Sequence, residues 1–373
     1  MNIRKLSVGA GIAALIAAAV MAPSTSFAAS HTAPVKAAAK PSATAKVVRI
    51  GYFGNLTHAP ALIARQQQLF EKYLPGAKLE YTYFTVGTAE IEALKGGALD
   101  IGYVGPGPAI NGYVTTQGQL LNIISGATYG GARFVVKPGL IATEGSPTKA
   151  EIAALAGKTI ADPGVGGTQD IALKSYLKTN GLFANGQSKV NVSGLANADT
   201  LTLFQQGKLD GAWVPEPWAT RLIQEGRGKT FVNEADLWPN RKFATTVVVA
   251  TKAFEKKYPG SVRGFLQANE DAIAFLRDQS KSADAIDQIQ AELLASTGKK
   301  LTPAVIQSAL PGLTFNSDPI ISSVKQNFTD SVALGFLPGA QASDIKGIFN
   351  VGILNSVRAS KNFSPIQVSA NLK

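Results

Sequence analysis

The stretch from Asp162 to Asp170 (DPGVGGTQD) places three glycines and a threonine immediately before a helical pattern. Glycines let the backbone approach a ligand closely, a helix amino terminus offers unpaired amide donors, and the Thr168 hydroxyl adds another donor. Together these residue types suit the binding of an oxyanion. A plain turn with a helix cap would use the same residues, so the position of the loop has to carry the argument.

That position recurs. Residues 49 to 109 overlay on 159 to 219 without a gap when 110 is added to each number, pairing Ile50 with Ile160, Gly97 with Gly207, Asp100 with Asp210 and Val104 with Val214. The sharpest match sets LKGGALDIGYVGPGPA against FQQGKLDGAWVPEPWA. An offset this long fits a duplicated α/β unit and not a solenoid.

Strands are expected at 47–53, 79–84 and 100–104 in the first copy and at 159–162, 190–192 and 211–214 in the second. Helices are expected at 60–73, 88–95 and 169–177 and around Leu201. Strand 120–125 follows the first copy, 132–136 crosses into a second lobe, 245–250 crosses back, and the chain from 253 onward is helical and returns to the first lobe. The reading is an α/β fold of two lobes, 47–133 with 248–373 and 134–247, joined at a hinge.

Ligands of open α/β sheets bind beyond the carboxyl ends of the strands. This rule selects four loops. They supply Asn55, Thr57 and His58, then Gly105 and Pro106, then Gly166, Gly167, Thr168 and Gln169, then Glu216 and Trp218. Trp213 and Trp218 are stiff amphipathic groups that can wall a pocket, although Trp213 is equally suited to the core. Glu216 would repel an anion; it could hold a ligand ammonium or bind a backbone amide near the hinge. Arg133 is the candidate cation. His58 is the sole histidine after residue 46, so no histidine pair, metal cluster or Ser-His-Asp set is available; no metal, cofactor or catalysis is expected. Asp100 and Asp210 precede their strands and read as turn or cap residues.

Arg4 and Lys5, the apolar run Val8 to Met21 and the small-x-small triplet Ser26-Phe27-Ala28 read as a cleaved export signal over 1–28. Residues 29–46, built of Ala, Lys, Pro, Ser and Thr, read as a disordered tether. The chain has no cysteine, which excludes disulfides and a lipoprotein anchor. Its net charge of +11 falls to +9 without the signal, and the basic residues are scattered, so no nucleic-acid partner is expected.

The segments IGYFGNLTHAPAL, AEIEALKGGALDIGYVGPGPAINGY, GKTIADPGVGGTQDIALKSYLKTNGL and LDGAWVPEPWATRL, with DLWP at 236–239, resemble bacterial ABC-transporter substrate-binding proteins of the nitrate, taurine and aliphatic-sulfonate class. The resemblance implies a two-lobed periplasmic binding fold. It also implies a monomer that captures a small anionic solute, a sulfonate or taurine first and nitrate next, and docks on a membrane permease with its ATPase. The same fold serves thiamine-pyrimidine proteins and sensors, which are the alternatives.

Overall fold

Val47–Phe53 (β1), Lys78–Phe84 (β2) and Ile101–Val104 (β3) alternate with the helices Ala59–Gln66 (α1), Leu69–Tyr73 (α2), Gly87–Lys95 (α3) and Pro106–Thr115 (α4). Leu121–Gly130 (β4) completes this first passage, and Ala132–Val136 (β5) starts the second lobe. There Lys149–Ala153 (α5), Thr159–Asp162 (β6), Thr168–Thr179 (α6), a small hairpin of Phe183–Ala184 (β7) and Gln187–Ser188 (β8), Asn191–Gly194 (β9), Asn197–Gln205 (α7), Gly211–Pro215 (β10), Trp218–Gln224 (α8) and Lys229–Asn233 (β11) follow in order. The chain returns through Ala244–Thr251 (β12) to Lys252–Lys257 (α9), Pro259–Arg277 (α10), Ser282–Thr297 (α11), Pro303–Ala309 (α12), Leu313–Phe315 (β13), Ile321–Ala333 (α13) and Gly352–Ser360 (α14). This computed structural model describes residues 43–372, so the expected signal lies outside the described residues. Of the expected tether, residues 43–46 are not loose: Ala45 is buried, its amide donates to Ser261 Oγ at 2.8 Å, and the Ala43 carbonyl accepts from Gly260.

The first sheet runs β13-β4-β12-β3-β1-β2 and the second β11-β5-β10-β6-β9. Each has three parallel strands, then an antiparallel strand, β12 or β5, then a further antiparallel neighbour. The duplication extends to register. Ile50 faces Ile101 and Gly51 faces Gly102; 110 residues on, Ile160 faces Gly211 and Ala161 faces Ala212. Asp100 accepts the Arg49 amide at 2.9 Å and Asp210 accepts the Thr159 amide at 2.9 Å, so both aspartates pin the starts of paired strands at the sheet edge opposite the loops considered below.

The inner parallel strands β1, β3 and β10 are almost continuously apolar because helices cover both faces, whereas the edge strands β2 and β9 are polar and partly exposed. Val48 and Ile50 share a core with Phe265 of α10 and Ile289 and Leu293 of α11, so the tail does pack onto the first lobe. Phe134, Ile160, Leu173 and Trp213 centre one face of the second sheet, and Ala212, Val214, Phe204 and Leu222 the other.

Two expectations shift. Both strands assigned to the crossings belong whole to one sheet, β5 to the second and β12 to the first, so the chain changes lobe just before each of them. Gly130 and Gly131, at φ 77° and 73°, make the first turn in a conformation that L side chains rarely adopt. The helix expected over 60–73 breaks into α1 and α2 at Gln68, whose φ is 53°. Three successive glutamines carry no cap or breaker signal, so nothing in the sequence marks that break.

Candidate functional site

The carboxyl ends of all six parallel strands point at one cleft, and the loops that leave them line a cavity of about 50 Å³. Asn55, Thr57, His58, Gly105, Gly167, Thr168 and Gln169, all expected from the sequence, meet there. So do residues the sequence reading missed: Thr85 to Thr88 after β2, Asn197 after β9, and Thr245 of β12. The strand-end rule should have selected the loops after β2 and β9, which are parallel strands too, with Gly87 and Asn197 at matching repeat positions; Thr245, at the start of the antiparallel β12, falls outside that rule.

Hydrogen bonds between cleft loops join the lobes, and Lys178 Nζ to the Ala333 carbonyl and Gln224 Nε2 to Ser308 Oγ join them farther out. The Leu56 amide donates to the Glu216 carbonyl at 3.0 Å, Trp218 Nε1 donates to Asn55 Oδ1 at 2.8 Å, and the Gly107 amide donates to Thr168 Oγ1 at 3.2 Å. This last contact needs bare backbone. A Cβ on Gly105 would lie 2.3 Å from Thr168 Oγ1, so bare backbone at Gly105 lets the lobes meet without displacing that hydroxyl. The Thr168 hydroxyl, having accepted from Gly107, still has its own proton to donate.

The donors here are neutral. His58 is buried, stacks on Phe53 with ring centroids 4.6 Å apart, and accepts the Phe53 amide on Nδ1 at 3.4 Å. That bond places the ring proton on Nε2, and burial drives the pKa down to about 3. Amides at the start of α6 supply the second lobe's donors: the Ile171 amide is the first to bond a carbonyl, that of Gly167 at 3.1 Å, so the first-turn amides before it lack an intrahelical partner. No lysine or arginine lines this cavity.

The glycine-rich loop is held from beneath. Asp162 Oδ1 accepts the Gly164 amide and Asp170 Oδ2 accepts the Gly166 amide, each at 2.8 Å, and Lys174 pairs with Asp170 at 2.7 Å. Burial, and then the Asp170 charge, raise the Asp162 pKa. Gly166 was expected at the site; its amide is committed to Asp170 and it does not line the cavity.

Five other expected residues also lie outside this cavity. Pro106 is buried at the start of α4 and leaves the lining to Gly105 and Pro108. Trp213 is fully buried in the second-lobe core, stacked on Phe134 at 5.5 Å, with Nε1 donating to Glu234 at 2.7 Å. Strand alternation sends its ring to the core face, away from the strand end. The Glu216 carboxylate turns away from the cleft to Arg133 and the Thr220 amide, the latter at 3.0 Å. Arg133 is thereby spent: besides Glu216 it bonds Thr220 Oγ1 at 2.7 Å, and it lines no part of the cleft. Trp218 walls an adjoining chamber of about 210 Å³, which shares Phe53, Asn55, Thr85 and Asn197 with the cavity.

The sequence profile of the NMT1-like family matches residues 10–290, most of the chain. The chain belongs to the NMT1-like family. Among family relatives, an aliphatic sulfonates-binding protein of Escherichia coli K12 is 24% identical over 241 residues, 65% of this chain and 70% of that protein. The taurine-binding periplasmic protein of the same organism is 26% identical over 231 residues, 61% of this chain and 66% of that protein. Among solved structures, the nitrate-binding protein NrtA of Synechocystis PCC 6803 superposes with a TM-score of 0.69 at 14% identity, covering 88% of this chain and 91% of that one. The alkanesulfonate-binding protein SsuA of Xanthomonas axonopodis pv. citri, bound to MOPS, does so at 0.64 and 21% identity, covering 79% and 96%. The fold is therefore the two-lobed periplasmic binding fold, and the relatives are binding proteins. No helix among the described residues is long and apolar enough to cross a membrane.

Proposed function

We propose that this chain is the periplasmic solute receptor of an ABC importer. It would be exported by its leader, capture a small oxyanion between its lobes and deliver it to a membrane permease and its ATPase, without catalysing a reaction. An aliphatic sulfonate or taurine is the first solute class, nitrate the next. The observation that carries this reading is the cavity itself: His58 Nε2–H, the Thr57 and Thr168 hydroxyls and the free amides of α6 surround a space without a cationic side chain.

Neutral donors suit an anion in a closing site. Each is a fixed dipole that loses little hydration on closure, whereas a buried cation would cost far more to desolvate. A solute that leaves one donor unpaired binds poorly, because that donor then keeps its full desolvation penalty. Closure would turn about the two crossings between β4 and β5 and ahead of β12, with the Asn55–Trp218 and Gly107–Thr168 bonds as the clasp.

The test is a thermal-shift screen of residues 29–373 against taurine, alkyl sulfonates, nitrate, bicarbonate, phosphonates and a thiamine-pyrimidine precursor, since a ligand of the folded state raises the melting temperature. A shift with a sulfonate or nitrate is expected. Stabilisation by the pyrimidine precursor alone would overturn the oxyanion reading.

A further inference from the structure

The 210 Å³ chamber beside the cavity differs from it in chemistry. Phe53, Tyr83, Phe84 and Trp218 give it aromatic walls, and Leu293 and Leu301 close it from the ends of the α11–α12 connection. It has roughly four times the room of the 50 Å³ cavity, which suffices only for a small head group. Two cations line this outer chamber, Arg221 and Lys299, and their circumstances are unlike. Arg221 is already satisfied, forked onto Glu225 at 2.7 and 3.0 Å with its guanidinium 4.9 Å from the Trp218 ring centre. Lys299 is exposed and has no carboxylate within ion-pair distance among the described residues.

We propose that the outer chamber is a second subsite, which takes a ring-sized apolar group whose far end carries a second anion facing Lys299. The inference rests on the oxyanion reading of the inner cavity. The two share Asn55 and Asn197, so one molecule can fill both: the oxyanion among the neutral donors, the apolar body against Trp218 and Phe84, and the distal charge at the mouth. The preferred ligand is then an elongated organic dianion. A compact inorganic anion would leave the apolar walls hydrated.

Calorimetric titration of the protein with ethanesulfonate, phenylethanesulfonate and the ring-carboxylated phenylethanesulfonate tests this. Affinity should rise about tenfold on adding the ring, the scale expected for burying an apolar group of that size. A further gain of about two- to fivefold should come with the carboxylate, which meets a partly exposed cation. Ala198→Phe, which puts a ring into the chamber from the first turn of α7, should abolish the gain from the phenyl group and leave ethanesulfonate unchanged. Lys299→Met should remove only the gain from the carboxylate. If ethanesulfonate binds and the longer ligands bind no better, or if Ala198→Phe leaves their advantage intact, the second subsite is wrong while the inner site stands. If none of the three binds, the oxyanion reading falls and takes the subsite with it.

Discussion

At matching positions of the two repeats stand His58 and Thr168, Asn55 and Val165, Gly105 and Pro215, and Glu90 and Thr200. The backbone around them is shared to the register of the strand pairs, yet the two ends of the cleft are equipped differently. In the first repeat α1 opens with Pro60 at its amino end, and a proline has no amide to offer, so the donor there is a side chain, the Nε2–H of His58. In the second repeat no proline occupies the first turn of α6, and its backbone amides and the Thr168 hydroxyl do the equivalent work. The Asn55 side chain is buried in the clasp to Trp218, whereas Val165 is 67% exposed at the rim. Duplication set the common strand register of the two lobes, and a few strand-end positions differ between the two walls of the cleft.

The largest effect should come from giving the first repeat the bulk found in the second. Gly105→Ala places a Cβ 2.3 Å from Thr168 Oγ1, so the lobes could meet there only by displacing that hydroxyl. Ligand affinity by calorimetry should fall about a hundredfold, close to 3 kcal/mol, with the ligand-free melting temperature little changed. Thr168→Ala removes one buried hydroxyl and should weaken an oxyanion by about 1–3 kcal/mol. Unchanged affinity would take that hydroxyl out of the site.

The Glu90 and Thr200 pair sharpens the contrast in the lobe interiors. Glu90 is fully buried over the Gly51–Gly102 strand pair, neither carboxyl oxygen has a hydrogen-bond partner, and burial holds its pKa well above the ordinary carboxylate range. Such a group is protonated more readily folded than unfolded. Its contribution is fully present below the unfolded pKa and is lost as pH rises through the folded one. Glu90→Met should therefore stabilise the protein by about 1–3 kcal/mol in urea unfolding, more at pH 8 than at pH 5.

His58 carries the opposite sign. Its folded pKa of about 3 lies below the unfolded value, so its contribution is complete above about pH 6.5 and declines as the pH drops towards 3. His58→Asn should flatten the loss of stability between pH 6.5 and 4.5, an effect of about 1–2 kcal/mol in urea unfolding followed at both pH values. Smallest is Trp218→Phe, which keeps the chamber wall and deletes the bond to Asn55; ligand affinity should drop by about 0.5–1.5 kcal/mol.

Much of this was legible because the repeat has no insertions. The 110-residue offset placed the loops after β1, β3, β6 and β10, and the positions of Asp100 and Asp210 marked the far edge of each sheet. What stayed hidden depended on direction and on contacts distant in sequence. A tryptophan at a strand end can point to cleft or core, and only the packing of Phe134 and Glu234 around Trp213 decides it. Arg133 looked available until Glu216, 83 residues away, proved to be its partner. The α11–α12 wall of the outer chamber comes from a tail whose helical spacing says only that one face is buried.

Titration calorimetry with ethanesulfonate at pH 5.5 and pH 8 tests whether neutral donors between the lobes hold an oxyanion. One ligand per chain with the same affinity at both pH values is expected, because burial keeps His58 neutral throughout. An affinity that climbs steeply on acidification would mean that a protonated His58 holds the anion, and would contradict it.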